Sequence, residues 1–169
     1  MELWDAYFAD GRLAGRDLIR GEAIPSDLRH LVSEILVRHT DGDYLLMQRD
    51  FRKPNYGGYL EATAGGSALK GEDALQCARR ELLEETGIAD GTLTKIGQFT
   101  SHDTIYVNFL CITAYPKNSI RLQEGETISY QWLSEAEFIT FVNSEAMIPS
   151  QLRRYTPYLE QMGYIKTTP

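Results

Sequence analysis

The strongest constraint on this chain is one 23-residue run, Gly66-Ser-Ala-Leu-Lys-Gly-Glu72-Asp-Ala-Leu-Gln-Cys-Ala-Arg-Arg80-Glu81-Leu82-Leu-Glu84-Glu85-Thr-Gly87-Ile88. It reads as loop, helix and stop. Glu72 and Asp73 supply negative charge at the helix start, where the dipole favours it. Leu75, Ala78 and Leu82 recur at helical spacing and are expected to face the core. Gly87 suits the position after the last turn, where the backbone takes positive φ. Yet Glu81, Glu84 and Glu85 crowd the last two turns, at the negative end of the dipole. Their i, i+3, i+4 spacing puts them on one face, where like charges repel. A divalent cation on that face resolves the conflict, since a hard ion such as Mg²⁺ takes oxygen ligands and leaves room for phosphates and water.

The remaining pattern alternates strands with helices. Leu3 to Phe8 and Leu13 to Ile19 flank the turn Ala9-Asp10-Gly11, so residues 1–27 read as a short hairpin and a connector. Leu28 to Val37, the turn Thr40-Asp41-Gly42-Asp43 and Tyr44 to Arg49 read as a second hairpin. A loop spans Phe51 to Gly58, and a strand from Tyr59 to Ala64 runs into Gly65-Gly66. After the glutamate helix, strands are expected at Leu93 to Thr100, Ile105 to Tyr115 and Ile128 to Leu133. Ser134 with Glu137 forms a capping box ahead of a helix reaching about Asn143, and Pro149 can open a last helix running to about Met162. This order predicts an α/β fold, a mixed sheet covered by helices on both faces.

Composition narrows the function classes. The chain has 169 residues and a net charge of −7, which argues against gripping a nucleic-acid polymer through a basic surface. No apolar run is long enough to span a bilayer, and the start lacks the basic and apolar regions of a secretion signal. The chain therefore reads as cytoplasmic and without a membrane partner. Its two cysteines, Cys77 and Cys111, read as core residues rather than a disulfide framework.

The opening run matches the Nudix box, Gly-x5-Glu-x7-Arg-Glu-(apolar)-x-Glu-Glu-x-Gly-(apolar), at every specified position, and the chain so resembles the Nudix hydrolase family. The resemblance implies a Nudix fold, a mixed β-sheet sandwiched between helices, spanning residues 1–169 as one domain, with 1–27 as an N-terminal hairpin extension and 66–88 as the box. It implies hydrolysis of a pyrophosphate bond in a small nucleoside or other organic diphosphate linked to a further group. It implies Mg²⁺ as cofactor, with Mn²⁺ as a substitute. By match to the box, Glu81, Glu84 and Glu85 resemble the metal ligands, together with the backbone carbonyl of Gly66. Arg80 resembles the arginine that braces these glutamates, and Glu72 the residue that supports the loop.

Outside the box, Glu126 stands six residues before Trp132. In many family members a glutamate near that place acts as a further metal ligand or general base; otherwise it is a solvated loop residue. The catalytic candidates are thus Glu85, Glu81, Arg80 and Glu126, with the identity of the base left open. Arg49, Lys53 and Tyr56 are candidates for substrate contact, and Tyr59 and Tyr106 are aromatic residues able to stack on a base. His102 reads as an exposed loop histidine. Loops 50–58 and 100–104 are the candidates for choosing the substrate.

The N-terminal part, with Trp4-Asp5-x-Tyr7, Gly15-Arg16, Arg20-Gly21-Glu22, Ile24-Pro25 and His30-Leu31-Val32, is similar to the isopentenyl diphosphate isomerase-like subgroup. That subgroup raises isomerisation of an allylic diphosphate as an alternative. True isomerases resemble one another in a reactive cysteine before the helix, and here the stretch Ala62-Thr63-Ala64-Gly65-Gly66 has neither cysteine nor histidine. A third class is a non-catalytic nucleotide-binding domain, which the intact glutamates disfavour. A homodimer is left open, because Trp4, Tyr7 and Phe8 of the hairpin suit packing against a second chain as well as against the chain's own core.

Overall fold

The computed structural model describes residues 1–166, so the last three residues of the expected 1–169 span lie outside it. Strands β1 (Leu3–Tyr7) and β2 (Leu13–Ile19) form the N-terminal antiparallel hairpin. The main sheet then takes β3 (His30–His39), β4 (Tyr44–Arg49), β5 (Leu60–Ala62), β6 (Ala64–Ser67), β7 (Thr92–Thr100), β8 (Thr104–Thr113) and β9 (Thr127–Leu133). Helix α1 (Ala74–Thr86) follows β6, and α2 (Glu135–Val142) and α3 (Pro149–Gln161) close the chain. The sheet order is β5-β4-β3-β8-β7, with β6 also on β3 and β9 also on β4. Among the described residues only the β3–β8 pair is parallel, running from His30↔Thr104 to His39↔Thr113; the other pairs are antiparallel.

Both faces of this mixed sheet are covered, which is why the consecutive residues Ile35, Leu36 and Val37 of β3 are all apolar and buried. Ile35 and Val37 point to α1 and pack with Leu45, Met47, Val107, Phe109, Cys77, Ala78 and Leu82. Leu36, Tyr44 and Leu46 point the other way, onto Phe138, Val142, Tyr155 and Leu159 of α2 and α3. The period-two alternation of a strand sends neighbours to opposite faces. Cys77 and Cys111 are both buried free thiols. Among the described residues, no helix is long and apolar enough to cross a membrane.

Three sequence expectations change. The strand expected over Tyr59 to Ala64 is broken in two at Thr63, a β-branched residue held at φ 57°. The break exists because the β3–β4 hairpin opens after two residue pairs, Val37↔Leu45 and Arg38↔Tyr44. Thr63 fills the fork: its hydroxyl donates to the Leu45 carbonyl at 2.6 Å and accepts the Val37 N–H at 3.0 Å. Beyond that point β6, not β4, lies against β3. The strand expected from Leu28 begins instead at His30, because Leu28 belongs to the small core under the hairpin with Trp4, Ala6 and Leu18. Leu75 does not face the core; it is exposed, and the buried stripe of α1 runs through Cys77, Ala78, Leu82, Glu85 and Thr86.

The N-terminal hairpin packs on its own chain. Trp4 is buried and stacks on His30 with ring centroids 4.5 Å apart. The Lys70 N–H donates to the Leu3 carbonyl at 2.9 Å, and the Gly71 N–H to the Asp5 carboxylate at 2.7 Å. Asp17 pairs with the Lys70 ammonium at 2.7 Å. The hairpin is thereby fastened to the loop between β6 and α1.

Candidate active site

That loop and α1 define a polar pocket. Asp73 caps α1, accepting the Gln76 N–H while the Gln76 side chain returns to the Asp73 N–H. Gly87 ends the helix at φ 79° with its N–H on the Leu83 carbonyl. These caps fix the start and end of the helix, and so fix which way Glu81, Glu84 and Glu85 point. Across from them runs β6. A Cβ on Gly66 would collide with the Glu81 carboxylate, so a glycine is what lets that side chain lie against the strand.

Arg80 organises the glutamates. Its Nε and Nη2 donate to Glu72 at 2.7 and 2.9 Å, Nη1 to Glu81 at 2.6 Å and to Glu84 at 3.2 Å, and Nη2 also to the Ser67 carbonyl at 3.0 Å. Glu72 additionally accepts the Leu69 N–H at 2.9 Å, closing the loop onto itself. The Arg80 guanidinium, foremost by hydrogen bonding, holds the Glu72 carboxyl below its ordinary pKa. Glu81 moves the other way: burial raises it, opposed by Arg80.

Glu85 is the outlier. It is 6% exposed, and no basic side chain pairs with it among the described residues. Burial pushes its pKa well above the carboxylate range, and the charges of Glu61, Glu81 and Glu126 push it further; the Gly65 backbone opposes them. A buried carboxylate surrounded by three others is costly unless a cation or proton neutralises it.

The pocket encloses about 430 Å³ and is lined by Glu2, Arg20, Lys53, Gly65, Gly66, Ser67, Leu69, Arg80, Glu81, Glu84, Glu85, Gln123 and Glu126. Five carboxylates thus face three cations. Hard oxygen donors, an unneutralised buried carboxylate and the glycine cradle at Gly66 suit a divalent ion. Among the described residues, no three His, Cys, Asp or Glu side chains already converge on one such position. The reason is visible in the ion pairs: Arg80 draws Glu81 and Glu84 to itself, and Lys53 holds Glu126. The Gly66 carbonyl accepts a weak bond from the Cys77 thiol at 3.4 Å.

The sequence candidates divide accordingly. Glu81, Glu84, Glu85, Gly66, Arg80, Glu126 and Lys53 come together in the pocket. Arg49 and Tyr56 are not among its lining residues. Arg49 pairs with Glu61 at 2.7 Å and donates to the Asn55 carbonyl, which commits its guanidinium to the β4–β5 edge. Tyr56, at φ 54°, packs edge-on against Tyr59. Tyr106 lies under the Arg154 guanidinium at 4.3 Å. His102 is exposed, and the neighbouring Ser101 and Asp103 carbonyls bind Arg29 and His30 rather than bordering the pocket. Four residues near the cluster were missed by sequence reasoning: Glu61, Glu2, Arg20 and Gln123. None has a local signal, because each reaches the site through long-range docking.

Comparison with known proteins gives a consistent picture. A family model described as NUDIX domain matches residues 28–158. The chain is 30% identical over 151 residues to an uncharacterised Nudix hydrolase of Listeria monocytogenes, covering 88% of this chain and 89% of that one. It is 34% identical over 128 residues to the uncharacterised Nudix hydrolase YfcD of Escherichia coli, covering 73% and 67%. The crystal structure of DR0079 from Deinococcus radiodurans superposes with a TM-score of 0.69 at 15% identity, covering 85% of this chain and 90% of that one.

Proposed function

The chain belongs to the Nudix family and is a pyrophosphohydrolase, and from that premise we propose that it cleaves the pyrophosphate bond of a small nucleoside or other organic diphosphate with Mg²⁺, or Mn²⁺ in its place. The observation that carries this reading is Glu85, a buried carboxylate with three acidic neighbours and, among the described residues, no basic partner. Glu81, Glu84, Glu85 and the Gly66 carbonyl would hold the ion. When bound, a divalent ion neutralises phosphate oxygens and eases deprotonation of the attacking water.

The chain's own residues supply the rest. Arg80 positions Glu81 and Glu84 and ties both to the loop through Glu72 and Ser67. Glu126 lines the same pocket as the box glutamates, where a carboxylate released from Lys53 could orient or deprotonate a water. The freed Lys53 ammonium can then meet a phosphate oxygen. Residues 1–169 are taken as one Nudix domain, since the hairpin of residues 1–27 is fastened to the box loop.

The isomerase alternative lacks support in this pocket, whose lining includes neither cysteine nor histidine. The test is a panel of nucleoside diphosphates and triphosphates, ADP-ribose and isopentenyl diphosphate with Mg²⁺ or Mn²⁺, read by phosphate release and by isomer formation. Hydrolysis that disappears in Glu85→Gln supports the proposal. Isomer formed without phosphate release, or undiminished turnover in a folded Glu85→Gln variant, overturns it.

A further inference from the structure

The three cations of the pocket are not equally committed. Arg80 donates through Nε, Nη1 and Nη2 to Glu72, Glu81, Glu84 and Ser67. Lys53 is held by Glu126. Arg20 differs. Its Nη1 approaches the two Glu2 oxygens at 3.3 and 3.1 Å, and its Nε and Nη2 make no hydrogen bond among the described residues. A guanidinium presents a rigid fork of donors that matches a phosphate, and here most of that fork is unused.

Arg20 stands just past β2, yet it shares the pocket wall with Gly66, Glu81 and Glu84. Its main chain is fixed there, while the side chain is free to swing. The Arg20 N–H donates to the Glu2 carbonyl at 3.1 Å, and the hairpin is fastened to Lys70 and Gly71 of the box loop. The Arg20–Glu2 pair is also the kind that exchanges readily. The arginine side chain is 65% exposed, and exposed ion pairs are weak, whereas forked arginine–phosphate contacts are among the strongest polar contacts. Glu2 is not orphaned by the exchange, because it keeps the Trp4 indole N–H at 2.9 Å.

We infer that Arg20 is a substrate-binding residue: its guanidinium leaves Glu2 for a phosphate oxygen of the diphosphate, so the N-terminal hairpin forms one wall of the substrate site. This rests on the pyrophosphohydrolase reading above and deepens it. Glu2 then acts as the competitor that holds the guanidinium until substrate arrives.

The test combines turnover with binding of magnesium pyrophosphate, which needs no turnover. Arg20→Ala is expected to raise KM about tenfold, the usual scale for one charged hydrogen-bonding group, with kcat little changed and pyrophosphate affinity reduced in parallel. Arg20→Lys restores part of both. Glu2→Gln keeps the Trp4 bond, frees the guanidinium, and is expected to lower KM and tighten pyrophosphate. Unchanged KM and pyrophosphate affinity in a folded Arg20→Ala overturn the inference. If that variant unfolds, Glu2→Gln decides, and no tightening overturns it. A wild type that binds pyrophosphate but hydrolyses nothing refutes the hydrolase substrate assignment, while weaker binding by Arg20→Ala still supports Arg20. A wild type that does not bind magnesium pyrophosphate overturns the inference as well.

Discussion

Arg49 reaches from β4 to Glu61 of β5, with Nη1 2.7 Å from Oε2, and both side chains are largely buried. Glu61 is in turn the first neighbour whose charge raises the pKa of Glu85. Arg49 therefore acts as the counter-ion that lets a second buried carboxylate stand near the site. Its own residue type suggests a phosphate contact, and the two roles separate cleanly. Arg49→Gln leaves Glu61 unpaired and is expected to cost about 3 kcal/mol of stability, as for other buried pairs broken on one side. The double variant Arg49→Gln, Glu61→Gln recovers most of it. Denaturant melts of the four proteins give the coupling directly. A raised KM with no loss of stability would instead assign Arg49 to the substrate.

Arg80 joins helix and loop in one hydrogen-bond network, and lysine cannot replace it. Lysine has one nitrogen where the network needs three, so Arg80→Lys must release Glu72, the Ser67 carbonyl or the glutamates. Loss of such a supporting residue costs about 10- to 100-fold in metal affinity or activity. The expected outcome is a fall in kcat/KM of that order, with a matching rise in the magnesium concentration needed for half-maximal rate. Wild-type magnesium dependence in Arg80→Lys would show that the network is ornamental to metal binding.

The parts of this fold that were legible in the sequence are those whose chemistry is local. Asp73, Gly87, Ser134 with Glu137, and Pro149 mark helix ends by their own side chains or backbone, and they stand where expected. The gathering of Glu81, Glu84 and Glu85 on one side of α1 was legible for the same reason. The α1 stripe was legible at Cys77, Ala78 and Leu82, which are buried as expected, and not at Leu75, a larger hydrophobic side chain that stays exposed. Small residues let the helix approach β6 closely enough for the Cys77 thiol to meet the Gly66 carbonyl. The pairings Lys53–Glu126 and Arg20–Glu2 join residues that no local pattern connects.

Thr63 is the clearest case of a residue whose role is set by distant partners. Its single hydroxyl serves Val37 and Leu45, at the fork where β3 and β4 part. Thr63→Val keeps the shape and removes the hydroxyl, leaving a buried N–H and a buried carbonyl without that partner. Each such group costs about 1–3 kcal/mol, so the variant is expected to lose about 2–6 kcal/mol. Equilibrium unfolding measures it, and a stability equal to wild type would show that the fork is held by packing alone. Thr63→Asn tests the backbone term separately, since asparagine tolerates positive φ.

The pH dependence of stability follows from Glu85. Burial first, then the charges of Glu61, Glu81 and Glu126, lifts its pKa well above the ordinary value of 4.5. Between that ordinary value and the raised one, the folded protein binds a proton that the unfolded chain has released. Stability contributed by this group is therefore full at low pH and falls as pH rises through that window. Glu85→Gln removes the term. The variant and the wild type are expected to differ little near the ordinary carboxylate value, with the variant gaining steadily as pH rises and then levelling off. Magnesium acts in the opposite sense on the wild type: an ion that binds only the folded state stabilises it, and more so at higher pH, where no proton competes for the carboxylate. Glu85→Gln loses most of that stabilisation. Denaturant melts across this range, with chelator and with magnesium, read all four curves. Parallel pH profiles for the two proteins would place the raised pKa elsewhere, and equal stabilisation of both by magnesium would remove Glu85 from the ion's ligands.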